Sequence, residues 1–483
     1  MFTFTNGRPA ACISYIQMAQ KNFCAEFNRE KIMYKVTQLQ KEYKRKLITA
    51  DQAAGYVRNG MRIHFGTGCG AVVDIDKALA KRADELEDVT IISTAAIREE
   101  PFEVFKATNS NDQVRFASTL FSKHDRIMNE AGRCWYIPMM SSELPQLWVN
   151  NNNGVDIAYF QVAPMDKHGN FNIGPQVADM WGVLKSAKMR IVEVNENMPI
   201  AHGYQTQINL FGIDYVVEGS NTPLVEIPVK PPTEVDLKIG EQVVKNIRSH
   251  CTVQLGSGSL PNNIGKMIAE SDISNVESHT EMLSDAFRRL FEEGRLTGNK
   301  PVDRGKLVYT FAGGSKKLYD FINDNPICCS APVNYVNNFS TISRIPNFIS
   351  VTRCMGVDLY GQATAESDGH LQISGTGGQL DFVMGAFASP GGHSFLCTPS
   401  TRTDAEGNVY SLISPVLKAG TMVTIPRMCT DYIVTEYGAV SMKGKSTWER
   451  AELLVSIAHP DFRDDLIKEA EKMGIWKQTS KVV

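Results

Sequence analysis

The chain carries the same local patterns twice, in the same order. Met61-Arg-Ile-His-Phe65 runs into Gly66-Thr-Gly-Cys69, and Cys251-Thr-Val-Gln-Leu255 runs into Gly256-Ser-Gly-Ser259. Ile75, Lys77 and Ala80 follow the first turn, and Ile264, Lys266 and Ala269 follow the second. Gly169-Asn-Phe-Asn-Ile-Gly174 resembles Gly369-His-Leu-Gln-Ile-Ser374, and Asp214-Tyr-Val-Val217 resembles Asp431-Tyr-Ile-Val434. One match of this kind is noise, but collinear matches point to two halves descended from one unit. Short β-branched runs such as Val89–Ser93, Val155–Phe160 and Arg190–Val194 alternate with helical periodicity. That alternation implies βαβ units and parallel pairing. The expected fold is therefore α/β: two related open α/β domains with mainly parallel sheets and an active site in the cleft between them. The Pro-rich stretch 224–236 reads as the interdomain linker. It divides an N-terminal domain over 36–230 from a C-terminal domain over 231–483. Residues 1–35 read as an extension outside the fold, with Met33 as a candidate start.

Composition removes several classes of function. The 50 basic residues stand against 53 acidic ones, which argues against a general nucleic-acid or anionic-membrane binder and leaves room for a local basic pocket. The 10 cysteines are scattered, with no CxxC pair and no Cys/His cluster at zinc spacing. No metal site is expected, and Cys328 and Cys329 read as buried thiols in a reducing compartment. Asn338-Phe-Ser340 matches a glycosylation acceptor, but the pattern recurs by chance and needs a secretory route. Residues 1–33 hold Arg8, Lys21, Glu26, Arg29, Glu30 and Lys31, so no signal-peptide core is visible, and no apolar run is long enough to span a bilayer. The expectation is a cytoplasmic protein with no membrane partner.

Three segments could carry chemistry. Gly256-Ser-Gly-Ser-Leu-Pro261 lies between a strand and a helix, where backbone N–H groups can meet an anion. It lacks the Gly-Lys-Ser/Thr ending of a P-loop and the third glycine of a dinucleotide fingerprint. Ser374-Gly-Thr-Gly-Gly378 exposes several N–H groups and leads into an apolar run, as expected of an oxyanion nest anchored in a core. Ser278-His-Thr-Glu-Met282 places a carboxylate beside a histidine and a hydroxyl. Glu281 there is open to two readings. It is either a covalent nucleophile or a first-turn residue of a helix starting near 281 and capped by Thr280 or Ser278. Cys69 reads as packing, and no GxSxG elbow supports a serine hydrolase.

These segments also carry a family likeness. Asn275-Val-Glu-Ser-His-Thr-Glu-Met282, the turn at 256–261, Ser-Gly-Thr-Gly-Gly-Gln-Leu-Asp-Phe at 374–382, Asp-Leu-Tyr-Gly-Gln at 358–362, Val-Asn-Glu-Asn-Met-Pro at 194–199 and Ser-Ile-Ala-His-Pro-Asp-Phe-Arg at 456–463 together resemble the acetyl-CoA hydrolase/transferase family. The likeness runs from about Val36 to the C-terminal region. It implies ping-pong transfer of CoA from a short-chain acyl-CoA such as butyryl-CoA to acetate, through a glutamyl-CoA thioester on Glu281. Hydrolysis of acyl-CoA by the same glutamate, and transfer to 4-hydroxybutyrate or another short acid, are the alternatives. A non-catalytic α/β binding module is a third reading, and a nicotinamide oxidoreductase is a distant fourth.

By the same resemblance, Gly377 or Gly378 supplies an oxyanion donor. Gly256, Ser257, Gly258, Ser259, Leu260, Met355 and Gly378 contact CoA, and Thr364 and Glu436 lie at the acyl or carboxylate pocket. CoA is a substrate, no cofactor is implied, and the partners are acyl-CoA, small carboxylic acids and, for such enzymes, a second copy of the chain in a homo-oligomer. The sequence departs from the family at Thr364, where relatives often carry asparagine, and at Ala405, where some carry lysine and Arg402 is the nearest substitute. Gly66-Thr-Gly-Cys-Gly70 also differs and is expected to shape the acyl pocket.

Overall fold

The protein is described from a computed structural model over residues 37–150, 154–228, 230–256 and 258–476. The expected extension 1–35 and the candidate Ser257 lie outside the described residues. Two large sheets organise the rest, and their strands are numbered here in chain order. The first sheet comprises β1 (Arg62–Thr67), β2 (Val89–Thr94), β3 (Val114–Ser118), β4 (Cys134–Tyr136), β5 (Ile157–Val162), β6 (Met189–Val194) and β7 (Tyr215–Glu218), in the order β7-β6-β5-β1-β2-β3-β4. Every pairing in it is parallel. The second comprises β8 (Cys251–Leu255), β9 (Val276–Ser278), β10 (Phe348–Arg353), β11 (His393–Cys397), β12 (Tyr432–Thr435) and β13 (Gly438–Ser441), in the order β9-β8-β10-β11-β12-β13. Only the edge pair β12–β13 of this sheet is antiparallel.

The repeat is visible in this topology. Reading β7-β6-β5-β1-β2 against β12-β11-β10-β8-β9 gives the same strand order, with the glycine turns after β1 and β8 in matching positions. The third sequence match has a physical role. The Asp214 carboxylate accepts the Arg190 N–H at the start of β6 at 2.7 Å, and the Asp431 carboxylate accepts the Ser394 N–H of β11 at 3.1 Å. Each aspartate pins the strand beside its own. Central strands such as β5 and β8 are buried along their whole length, the pattern of a parallel sheet covered on both faces. Separate apolar cores form on the helices that flank each sheet.

Two expectations are corrected. The stretch 224–236 is not wholly linker, because a helix begins at Glu234 and runs to Val244. Thr233 and Asp236 close a capping box at its start, each side chain accepting the other's N–H at 3.1 Å, which outweighs the prolines just upstream. No helix starts near 281 either. Residues 282–283 are a short strand, and the helix Asp285–Glu292 is entered through Ser284. Thr280 donates its hydroxyl to the Leu255 and Met282 carbonyls rather than capping a helix.

The halves are joined by shared backbone pairing. Leu307–Tyr309, Cys328–Ser330 and His202–Gly203 form one small parallel sheet drawn from both. Among the described residues, no helix is long and apolar enough to cross a membrane.

Candidate active site

Glu281 lies between β9 and the short strand that follows it. Its carbonyl accepts the Thr310 N–H at 2.9 Å and the Phe311 N–H at 3.2 Å, which fixes the backbone and aims the side chain at the junction of the halves. One carboxylate oxygen, Oε2, accepts the Gly378 N–H at 3.1 Å; the other, Oε1, accepts the Asn337 Nδ2 at 3.1 Å. Ser141, from the N-terminal half, lines the same small pocket as the carboxylate. Burial pushes the carboxyl above the ordinary carboxylate range, and the donors from Ser141, Asn337 and Gly378 work against that shift. The arrangement is a partly desolvated carboxylate surrounded by neutral donors.

Glycine is obligatory at 378. A Cβ there would overlap the Asn337 amide and sit 2.7 Å from Glu281 Oε2. The N–H that reaches Glu281 is therefore that of Gly378. Gly377, at φ +54°, turns its carbonyl to the Ser141 N–H at 3.0 Å and so helps to dock the halves.

A cleft of about 880 Å³ opens on one side of Glu281, lined by Gly256, Met355 and the loop 374–379 from the C-terminal half and by Arg98, Leu120 and Lys123 from the N-terminal half. Arg353 also faces it. On the other side lies a partly enclosed pocket of about 20 Å³, walled by Thr67, Thr94, Leu144, Thr310 and Val333. That volume suits one water-sized group. The turn Gly66–Gly70 contributes Thr67 to this wall. Cys69 is buried, and burial pushes its thiol up to about 12, which suits packing rather than attack.

The structure brings Glu281, Gly256, Met355, Gly377 and Gly378 to one cleft. Other candidates lie apart from its lining. Gly258, at φ +106°, enters the helix Ser259–Glu270, and the Leu260 side chain is buried beneath it. Thr364 is buried and donates to the Ser367 carbonyl at 3.1 Å. Glu436 accepts the Ser400 N–H at 2.9 Å and the Ser400 hydroxyl, fixing a loop. Ala405 sits in the turn between Thr401–Thr403 and Val409–Ser411, while Arg402 is paired with Asp368 at 2.7 Å.

Sequence reasoning passed over Ser141, Asn337 and Asp381. Asn337 precedes the Asn338 that matches a glycosylation pattern. Asn338 instead caps the helix Phe339–Ile342, accepting the Ser340 N–H at 2.8 Å. Asp381 lay inside a run read as an apolar anchor. The only signal for any of them was a polar residue in an otherwise apolar stretch.

The two glycine turns differ in occupancy. In the N-terminal half, the buried Glu193 carboxylate accepts the N–H groups of Val73, Asp74 and Ile75 at 2.8–3.0 Å and so fills the N-terminus of the helix Asp74–Ala80 with the protein's own anion. In the C-terminal half, the helix Ser259–Glu270 follows Gly258 with no side-chain cap, and a Cβ on Gly258 would meet open space.

Comparison with known proteins agrees with this architecture. Residues 29–228 match the acetyl-CoA hydrolase/transferase N-terminal domain, and residues 314–470 match the C-terminal domain. The chain is 46% identical over 443 residues to the butyryl-CoA:acetate CoA-transferase of Anaerostipes caccae, covering 91% of this chain and 99% of that one. It is 42% identical to a probable butyrate:acetyl-CoA coenzyme A-transferase of Syntrophomonas wolfei, covering 92% and 99%. The crystal structure of RipA from Yersinia pestis superposes with a TM-score of 0.81 at 32% identity, over 90% of this chain and 99% of that one. With both domains matched and relatives aligned along nearly their whole length, the chain belongs to the acetyl-CoA hydrolase/transferase family.

Proposed function

We propose that the protein is a CoA-transferase that moves CoA from a short-chain acyl-CoA, such as butyryl-CoA, to acetate through a glutamyl-CoA thioester on Glu281. One observation carries the reading. The Glu281 carboxylate, held by Gly378 and Asn337, stands where a wide cleft and a small, partly enclosed pocket meet. The cleft suits an extended CoA arm, and the pocket suits the acyl end.

A Glu281 oxygen attacks the thioester carbonyl carbon, forming a C–O bond as the C–S bond breaks and CoA leaves as thiolate. The thiolate then attacks the Glu281 carboxyl carbon of the mixed anhydride. A C–S bond forms there, the C–O bond breaks, and the acyl group departs as a carboxylate. Acetate attacks the glutamyl thioester, CoA leaves again as thiolate, and it attacks the acetyl carbonyl to give acetyl-CoA and free Glu281. Every tetrahedral species at the Glu281 carbon carries an oxyanion, and the donors already on its oxygens are those of Gly378 and Asn337. Burial disfavours the charged carboxylate in the ground state. It also keeps water from the anhydride, so that the thiolate is the nucleophile at hand.

The remote end of CoA is anionic. Lys123 and Arg353 on the cleft wall, beside Glu99, Glu100 and Glu226, and the uncapped helix N-terminus that follows the lining residue Gly256 are the groups available to meet it, Arg98 being held by Asp76 at 3.0 Å, and this binding energy orients the reacting end. The small pocket accepts the methyl of acetate as it stands, and a butyryl tail requires Leu144 and Val333 to move aside. CoA enters as substrate, and the scheme uses no resident cofactor.

The test is acetate dependence. Butyryl-CoA should be consumed at full rate only with acetate present, yielding acetyl-CoA and butyrate one for one. Thioester loss at the same rate without any acid would make the protein a hydrolase instead.

A further inference from the structure

We propose that Asp381 is a positioning residue for the nucleophile. It orients the Asn337 carboxamide toward Glu281 and ties that amide to Ser142 of the N-terminal half. The inference rests on Glu281 being the group that carries CoA.

Asp381 is buried in the first turn of the helix Gln379–Ala388. Its Oδ1 accepts the Ser142 hydroxyl at 2.7 Å; its Oδ2 accepts the Ser142 N–H at 3.2 Å and the Asn337 Nδ2 at 3.5 Å. Asn337 is itself fully buried, and the same Nδ2 lies 3.1 Å from Glu281 Oε1. A primary amide has two N–H hydrogens, and here each faces one carboxylate. A flipped amide would turn its oxygen toward both negative groups. The Asn337 Oδ1 has no hydrogen-bond partner, so its other end does not fix the orientation. The two carboxylates do.

The two are not equivalent during turnover. Glu281 loses its charge when it becomes an anhydride or a thioester, and its hold on the amide weakens just when the oxyanion must be stabilised. Asp381 is not consumed. It keeps the Asn337 N–H aimed at the Glu281 carbonyl oxygen throughout. Through Ser142 it also makes that aim depend on the docked halves, because the adjacent Ser141 donates its N–H to the Gly377 carbonyl at 3.0 Å. A buried carboxyl beside Glu281 is pushed up to about 7, chiefly by desolvation, a cost consistent with a role other than stability.

The experiment uses the full chain with butyryl-CoA and acetate, and normalises turnover to the fraction of sites trapped at Glu281. D381L, which removes every acceptor, should lower kcat per trapped site by about tenfold or more while leaving KM for butyryl-CoA within about twofold. D381N retains one carbonyl oxygen and should lose less, and S142A should lose least. A D381L protein with normal kcat per trapped site, or one altered in KM alone, would overturn the proposal. If D381L does not fold, D381N and S142A decide, and both turning over at the unsubstituted rate would overturn it. Absence of label at Glu281 in the unsubstituted protein would instead remove the reading on which the proposal rests.

Discussion

At the scale of single residues, the proposed chemistry needs Glu281 to be both desolvated and ionised. Burial favours its neutral form, and only the carboxylate can attack. Activity should therefore fall, as pH drops, through a pKa above the usual 4.5 of a glutamate. A pH profile of kcat/KM checks this, and an acid limb below 4.5 would contradict the geometry. Little of this site is legible in the sequence. Read on its own, the segment 278–282 fits a capped helix start better than a nucleophile, and the family likeness, not the spacing, favours the nucleophile. The structure removes the helix, which starts at Asp285. Asn337 and Ser141 could not be read, because they lie 56 and 140 positions from Glu281 in the chain, and Ser141 reaches the site only across the junction of the halves. Thr364 and Glu436 illustrate the opposite case. Their motifs are readable, yet both side chains serve local loops.

At the scale of elements, a duplicated strand–turn–helix unit has been put to two uses. Its glycine turns were legible because close backbone approach demands glycine wherever it occurs. What distinguishes them is Glu193, which is 120 positions from Val73 in the chain and invisible to any local pattern. In the N-terminal unit its carboxylate satisfies three backbone donors at a helix start. Replacing it by alanine leaves those donors buried and unpaired. E193A should lower stability by about 2–4 kcal/mol, read as a shift of the denaturant midpoint, with KM for acyl-CoA in the folded fraction little changed. A loss of CoA affinity with stability intact would mean that the N-terminal turn, too, holds the nucleotide. The linker teaches a similar lesson. Prolines mark where the chain cannot continue a sheet, but Thr233 with Asp236 restarts a helix within a few residues.

At the scale of the whole molecule, two α/β halves close around a cleft that belongs to neither alone. The alternation of strand and helix, their parallel pairing and the internal repeat were all legible, because periodicity is a local property that a sheet amplifies. The cleft was expected, with Glu281, Gly256, Met355, Gly377 and Gly378 in it, but the identity of its cations was not. The chain is nearly neutral overall, and its cations at the cleft come from three separate segments at Arg98, Lys123 and Arg353. If the Arg353 guanidinium meets a remote phosphate of CoA, R353Q should raise KM for acyl-CoA by about threefold to tenfold with kcat nearly unchanged, since such a contact adds binding without touching the reacting carbon. A fall in kcat at constant KM would place Arg353 in the chemistry instead.

The central claim is that CoA rests on Glu281 between the two half-reactions. Incubation with butyryl-CoA in the absence of acetate, followed by borohydride or hydroxylamine and mass spectrometry of the digested chain, tests it directly. One modified peptide is expected, with the change on Glu281, and that modification should be lost when acetate is added before the trap. An unmodified Glu281 under conditions of full transferase activity, or modification of a different side chain, would contradict it.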